Sequence, residues 1–339
     1  MVKQAIFEKK NILVTGGAGF IGSHLCERLV ETAKVICVDN FISSAQANID
    51  HLLQNPNFEF INHDITKPLD LASYEELGRF RVEFQGVQEI YHLACPTSPK
   101  KFEQVQMETM DANSIGVKNM LEMAKQYNSK FLQASSSVVY GSRKREDPYF
   151  FENYVGTLDQ SSPRAVYDLG KKFAESMVMT YHKVHNIRTR IARIFRTYGP
   201  KMMLNDGQML PDFIINALKG EEMIIYGDES FSTSLCYISD MVDGLIRMME
   251  SNQPHLLLNL GSDQDLPLVE VCKKIIELTG SASTIRFESP LMFMTPLGLP
   301  IITTAKDELG WIPITTLETG LQKTIDYAKA EKSLIGPGA

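Results

Sequence analysis

Short apolar runs alternate with longer amphipathic stretches along the first part of the chain, and this alternation predicts its elements. The runs predict strands near residues 11–15, 34–39, 58–61, 88–93, 130–134 and 188–194. Between them, apolar positions at helical spacing predict helices over 20–31, 104–127, 164–186 and 207–219. In the second of these, Met120, Met123, Ala124 and Tyr127 fall on one stripe, which reads as a core face. Strands alternating with helices imply a parallel sheet covered on both faces. The 70–86 stretch follows neither period and reads as a surface excursion without function. Beyond about residue 200, proline and glycine become denser and strand alternation fades, which predicts a smaller carboxyl-terminal lobe.

The first strand-to-helix junction carries the first chemistry. Gly16-Gly17-Ala18-Gly19-Phe20-Ile21-Gly22 follows Ile12-Leu13-Val14 and opens into the first helix. Gly16 and Gly19 let the backbone turn sharply and approach a pyrophosphate, Gly22 lets helix pack on strand, and the helix N-terminus faces the anion. The second strand ends in Asp39, twenty positions after Gly19, where a carboxylate can bind a ribose 2′-hydroxyl. Asp39 would repel a 2′-phosphate and no arginine follows it immediately, so NAD is the expected cofactor. The fold expectation is therefore an α/β, Rossmann-type doubly wound parallel sheet with a smaller mixed α/β carboxyl-terminal substrate lobe. Residues 1–200, with later elements returning at about 235–262, form the NAD-binding part, and 201–339 mostly form the substrate lobe.

A second constellation is Tyr167-Asp168-Leu169-Gly170-Lys171. Positions i and i+4 share a helix face, so the Tyr167 hydroxyl and the Lys171 ammonium can point into one cleft. A neighbouring cation favours phenolate, which equips Tyr167 to remove a hydroxyl proton during an oxidation. Lys171 can also hold the nicotinamide ribose. Ser135-Ser136-Ser137 follow the strand at 130–134, at the carboxyl end where open α/β sheets bind ligands. Ser136 can share a hydrogen bond with the oxygen being oxidised.

Composition narrows the class. The 339 residues are 44% hydrophobic, enough for a full core, and the net charge of −7 argues against nucleic-acid binding by a basic face. Cys26, Cys37, Cys95, Cys236 and Cys272 are scattered without metal-ligand spacing, so no metal is expected. No apolar run approaches the roughly 18 residues of a membrane span, and the N-terminus lacks a signal-peptide core, so a cytoplasmic protein without a membrane partner is expected.

With these motifs the chain resembles the extended short-chain dehydrogenase/reductases, and among them the nucleotide-sugar epimerases, dehydratases and decarboxylases, from about Asn11 to Tyr327. The resemblance is greatest to the UDP-glucuronate decarboxylases (UDP-xylose synthases). It runs through Gly16 to His24, Asp39-Asn40-Phe41, Tyr91 to Pro96, Pro163-Arg164, Tyr167, Lys171, Arg193-Ile194-Phe195 and Thr197 to Pro200. It implies a tightly held NAD that oxidises C4 of a UDP-linked sugar and permits chemistry next to the new ketone. It also implies that Gly16, Gly19, Phe20, Ile21, Gly22, Asp39, Asn40, Phe41, Asp64, Ile65, Leu93, Ala94, Ser135, Tyr167, Lys171 and Thr197 contact the cofactor. Asp64 would reach the adenine amino group, and Leu93-Ala94 would pack beneath the ring. Tyr167, Lys171 and Ser136 would be catalytic, with Pro96, Asn119, Lys125, Ser137, Arg196 and Thr233 on the substrate. A homodimer through the helices around 104–127 and 164–186 is implied as well. The apolar segment 289–300 reads as a lid, a subunit contact or a buried loop, and 306–311 as a carboxyl-terminal closure.

The chain also departs from those relatives. Their Thr-Ser-Glu-Val-Tyr is Ser136-Ser137-Val138-Val139-Tyr140, so valine stands for the site carboxylate. Thr233 stands where they carry arginine, Asp111 where they carry lysine, and Arg196 where they carry asparagine, a change that could add a diphosphate clamp. Burying a uronate without paired cations costs several kcal/mol. These departures imply a 4-keto-6-deoxy sugar made from a neutral or N-acetylated hexose, by a dehydratase or oxidoreductase of a pseudaminic-acid-type amino-sugar pathway. Because the turn also lacks the acid pair of dehydratases, the sugar could arrive already unsaturated. The alternatives are UDP-glucuronate decarboxylation to UDP-xylose, epimerisation of a UDP-sugar, and a non-enzymatic NAD-binding redox sensor.

Overall fold

The structure is a computed structural model that describes residues 9–97, 102–144, 146–204, 206–289 and 297–335. Strand β1 (Asn11–Thr15) is buried on both faces, as its uninterrupted apolar run requires. It lies between β2 (Lys34–Asp39) and β4 (Glu89–His92), with β3 (Phe58–Asn62) beyond β2. Beyond β4 come β5 (Lys130–Ser136), β6 (Thr189–Ile194) and β7 (His255–Leu260). All seven run parallel in the order β7-β6-β5-β4-β1-β2-β3. The chain reverses its direction of winding between β1 and β4, and the crevice for a ligand opens beyond their carboxyl ends.

Helix α1 (Phe20–Leu29) links β1 to β2 and buries Leu25, Cys26 and Leu29. The predicted helix over 104–127 is three pieces. Helix α2 (Gln106–Asp111) passes through a π-helical turn at Ala112–Gly116 into α3 (Val117–Tyr127), which ends at left-handed Asn128. Such wide turns disturb the helical ladder and are common at functional sites. Here the turn carries Asn113, whose Nδ2 donates to the Thr109 carbonyl and to Cys95 Sγ. Helix α4 (Ala165–His185) covers the same sheet face.

The 70–86 stretch corrects the expectation of a surface excursion. It forms short 3₁₀ turns at Leu71–Ser73 and Glu75–Phe80 and a helical turn at Val82–Gln85, and buries Leu71, Leu77, Phe80 and Val82 in the core. Its apolar side chains follow the tighter period of 3₁₀ turns, which neither a strand nor an α-helix template matches. Asn11 anchors it by donating to the Phe80 and Gly86 carbonyls.

After β6 the chain builds α5 (Met209–Lys219) and a strand at Met223–Tyr226 that pairs in parallel with Ile285–Glu288. Helix α6 (Ile238–Glu250) then leads into β7, outside the six runs predicted as strands, which extends the sheet beside β6. Helix α7 (Leu268–Thr279) packs on α5. Trp311 is buried and its Nε1 donates to the Asp240 carbonyl, closing the carboxyl-terminal segment over α6. Of the apolar segment 289–300, residues 290–296 lie outside the described residues, and Leu299-Pro300 pair with Tyr149-Phe150. Among the described residues no helix is long and apolar enough to cross a membrane.

Candidate active site

A cleft of 1490 Å³ opens at the carboxyl ends of the strands. Its floor is the glycine turn. Gly16 has a left-handed φ of +71°, and a Cβ there would lie 2.7 Å from the Ala94 amide nitrogen. A Cβ on Gly22 would lie 2.1 Å from the Gly16 carbonyl oxygen, so only glycine lets α1 start this close to β1. Gly19 is the N-cap of α1, and Phe20, Ile21 and Gly22 line the cleft behind it. This is a backbone cradle for a pyrophosphate at a helix N-terminus.

Asp39 lies at the end of β2 and is nearly buried. Its Oδ2 accepts from the Ala18 amide at 3.0 Å, and its Oδ1 from the Phe41 amide at 2.9 Å and the Ser44 hydroxyl at 2.7 Å. A carboxylate offers about four acceptor positions, so one remains for a ribose hydroxyl. Asp64 caps the turn after β3 through Thr66 and lines the cleft with Asn40, Ile65, Leu93, Ala94 and Thr197. Phe41 is a correction. It does not line the cleft, because its backbone is left-handed (φ 58°) and its ring packs on Phe60 at 5.1 Å.

The wall that carries the expected catalytic residues is built from β5 and α4. Lys171 is buried and its Nζ donates to the Ala134 carbonyl at 3.0 Å, which fixes α4 against the end of β5. Tyr167 is half-buried four positions earlier, with Lys171 Nζ 5.7 Å from its ring centre. The expected lowering by Lys171 is not what the chain produces. Burial pushes the phenol above its usual value and the nearby Cys95 adds to this, while a hydrogen bond with Ser136 and the Arg164 charge offset it in part. Ser136 also caps the 3₁₀ turn Ser137–Tyr140 by accepting from the Val138 amide. Val138 lines the cleft and is 2% exposed, an apolar surface where a proton-transfer group was looked for.

Pro96, Ser137 and Arg196 line the cleft as expected for substrate residues, but three others do not. Asn119 on α3 donates to the Ile65 and Lys67 carbonyls, so it supports the loop behind the cleft wall. Lys125 sits at the exposed end of α3 beside Glu122. Thr233 is buried in a two-residue strand paired with Leu266, and its hydroxyl donates to the Ser234 carbonyl. These three matched by position in sequence, while the chain's tertiary packing turns them elsewhere.

Comparison with known proteins follows the same lines. Residues 12–261 match the model of the NAD dependent epimerase/dehydratase family. A UDP-glucuronic acid decarboxylase 1 from Xenopus tropicalis is 40% identical over 325 residues, 96% of this chain and 73% of that one. The chain belongs to the NAD dependent epimerase/dehydratase family. Among solved structures, a UDP-glucose 4-epimerase from Thermotoga maritima with UDP-glucose superposes with a TM-score of 0.82 at 26% identity, over 95% of this chain and 99% of that one. A UDP-glucuronic acid 4-epimerase from Bacillus cereus, in complex with UDP-glucuronic acid and NAD, gives 0.81 at 26% identity over 95% and 100%. The chain is thus an NAD-dependent enzyme of nucleotide-sugar chemistry, and the glycine cradle with Asp39 fits that cofactor.

Sequence reasoning missed the support behind the catalytic wall. Glu175 on α4 accepts from Ser135 Oγ and holds Arg193 of β6 through Nε at 3.0 Å and Nη2 at 2.7 Å. Arg193 Nη1 in turn donates to Tyr140, whose hydroxyl donates to Asn259 of β7. The signal was present as a charged residue inside a buried strand, which demands a partner. His92 was missed too. It is buried under the cofactor cleft with Nδ1 2.6 Å from Thr15 Oγ1, and burial, aided by the Lys171 charge, pushes it down to about 3, so it is neutral.

Proposed function

We propose that this enzyme oxidises C4 of UDP-glucuronate and releases the C5 carboxyl group as carbon dioxide, giving a UDP-pentose. The family relatives support this reading over a 4-keto-6-deoxy product, since the decarboxylase match spans 96% of the chain. Tyr167, hydrogen-bonded to Ser136 and with Lys171 Nζ 5.7 Å from its ring centre, takes the proton from the C4 hydroxyl as a phenolate. NAD, when bound, supplies the two-electron acceptor for the C4 carbon and the donor that later restores the alcohol. With C4 a ketone, the carboxylate on C5 belongs to a β-keto acid. Its carbon–carbon bond breaks to give carbon dioxide, and the electron pair is taken up as an enolate that a proton then quenches at C5.

The observation that carries the reading is the 40% identity to a UDP-glucuronic acid decarboxylase over 96% of the chain. Water elimination needs a base for the C5 proton and an acid for the departing C6 hydroxyl. Decarboxylation needs neither of these, so buried Val138 counts against elimination, while the proton that quenches C5 comes from another donor than residue 138. The test is incubation of purified protein and NAD with UDP-glucuronate, UDP-N-acetylglucosamine and its 5,6-unsaturated derivative, with products read by mass spectrometry and NMR. A UDP-pentose from the first is expected. A UDP-galacturonate product would mean C4 epimerisation, and a 4-keto-6-deoxy product from either of the others would replace the proposal. We also propose a homodimer through α2, α3, the π-helical turn between them and α4, where Met107, Met110, Ile115 and Phe173 are 63%, 45%, 46% and 55% exposed.

A further inference from the structure

The segment at 135–140 passes along the cleft between two tethered ends. Ser136, Ser137 and Val138 line the cleft. Before them, Ser135 Oγ donates to Glu175 of α4, and after them the Tyr140 hydroxyl donates to Asn259 Oδ1 of β7 at 2.6 Å. Both tethers meet in one side chain. Arg193 of β6 gives Nε and Nη2 to Glu175 at 3.0 and 2.7 Å, and Nη1 to the Tyr140 hydroxyl at 2.8 Å and the Glu152 carbonyl at 2.7 Å. A guanidinium is a planar fork, so it fixes the spacing and the orientation of the two ends together.

The far end is also closed by packing. The Tyr140 ring stacks on Phe150 at 4.8 Å, with the Arg193 guanidinium 4.6 Å over its other neighbourhood of ring carbons. Gly156 lies so close to the Tyr140 carbonyl that a Cβ there would collide with it, and the Gly156 carbonyl accepts from Lys172 Nζ of α4 at 2.9 Å. Tyr140, Glu175, Arg193 and Asn259 do not line the cleft, so this network meets no ligand directly. Ser136 Oγ accepts from the Val138 amide at 3.4 Å, so the direction of its hydroxyl follows the backbone of the turn that Tyr140 ends.

We propose that Arg193 and Tyr140 are positioning residues, which clamp the segment at 135–140 by both ends and thereby keep the Ser136 hydroxyl against Tyr167 while the sugar is oxidised. The proposal rests on Tyr167 and Ser136 as the proton-transfer pair and on no particular sugar. A reacting group displaced by about 1 Å can lose up to 10²-fold in rate, so a clamp outside the cleft controls turnover without touching substrate.

The test measures kcat and KM of the NAD-loaded protein for Tyr140→Phe, Ser136→Ala and the double variant, on whichever of UDP-glucuronate, UDP-glucose and UDP-N-acetylglucosamine the wild type converts. Tyr140→Phe keeps the ring and loses only the hydroxyl, and a melting curve establishes that it is folded. Arg193→Lys, which keeps a cation for Glu175 but cannot span to Tyr140, is the second variant. In each, kcat is expected to fall about 10-fold with KM and bound NAD unchanged. Because Tyr140 acts through Ser136, the double variant should be no slower than Ser136→Ala alone. An unchanged kcat in Tyr140→Phe or in Ser136→Ala, or losses that multiply in the double variant, would overturn the proposal. Hydrogen exchange reads the clamp without turnover: faster exchange over 135–141 in Tyr140→Phe, with 16–22 unchanged, is expected, and identical exchange overturns it too. A wild type that converts only a neutral sugar keeps the clamp and loses the decarboxylase reading.

Discussion

The cofactor half and the substrate half of this cleft are built by different means. Around Gly16 and Gly22 the binding surface is backbone, set by a turn in which a single Cβ would collide at 2.1 Å with a carbonyl. Around Val138, Arg164 and Arg196 it is side chain, drawn from segments that meet only in the fold. A backbone cradle tolerates almost no substitution and keeps its ligand. A side-chain wall can exchange a carboxylate for an apolar residue, as at Val138, while the cofactor cradle stays unchanged.

The largest separation of the halves is expected from Tyr167→Phe. Removing the phenolic oxygen takes away proton transfer but no cofactor contact of the glycine turn, so turnover should fall by about 10²–10⁴-fold while bound NAD is retained. Cofactor content after purification and single-turnover kinetics read both sides. Loss of NAD together with activity would show that the two halves are not separable at α4. Next, Glu175→Gln leaves the Arg193 charge buried without its carboxylate, and should cost about 3 kcal/mol in denaturant unfolding. A cost near zero would mean that the network behind Ser135 does not support the wall.

Gly22→Ala tests the other half. Its Cβ must displace either α1 or the Gly16 carbonyl, so it should destabilise the fold by about 1–3 kcal/mol and lower NAD affinity. A variant with unchanged melting temperature and NAD content would show that the turn yields without consequence.

How much of this was legible in the chain follows the same division. The alternation located the first six sheet strands, and Gly16, Gly22 and Asp39 announced a cofactor turn, because each of these is a local property of a few consecutive residues. The Tyr167 and Lys171 pair was legible because both ride one helix. The Glu175 and Arg193 pair was not, since nothing in the local sequence says that α4 and β6 bring the two together behind Ser135. Asn119, Lys125 and Thr233 were matched by alignment alone and face elsewhere. The 70–86 stretch was misread because 3₁₀ turns bury residues at a spacing that helix and strand periods do not contain. Phe41 was misplaced by one backbone angle.

The smallest effect concerns the stitch between the halves. Glu27 on α1 takes hydrogen bonds from Lys201 Nζ and His51 and faces His24 at 3.5 Å, and Lys201 also donates to the Asn48 carbonyl at 2.9 Å. Burial alone would raise the Glu27 carboxyl, but the bonds from His24 and Lys201 outweigh it and hold the group down at about 2, against 4.5 ordinarily. A folded value below the unfolded one means that the stabilisation is present above pH 4.5 and is lost as pH falls from there towards 2. The Glu27 side chain is 33% exposed, so solvent screens these contacts and keeps the contribution modest. Urea midpoints measured across this window should therefore fall less steeply for Glu27→Gln than for the wild type. Identical slopes would mean that Glu27 contributes no acid-labile stability, and that the loop carrying Lys201 is held to α1 by its other contacts, among them the bond between His24 and the Pro200 carbonyl.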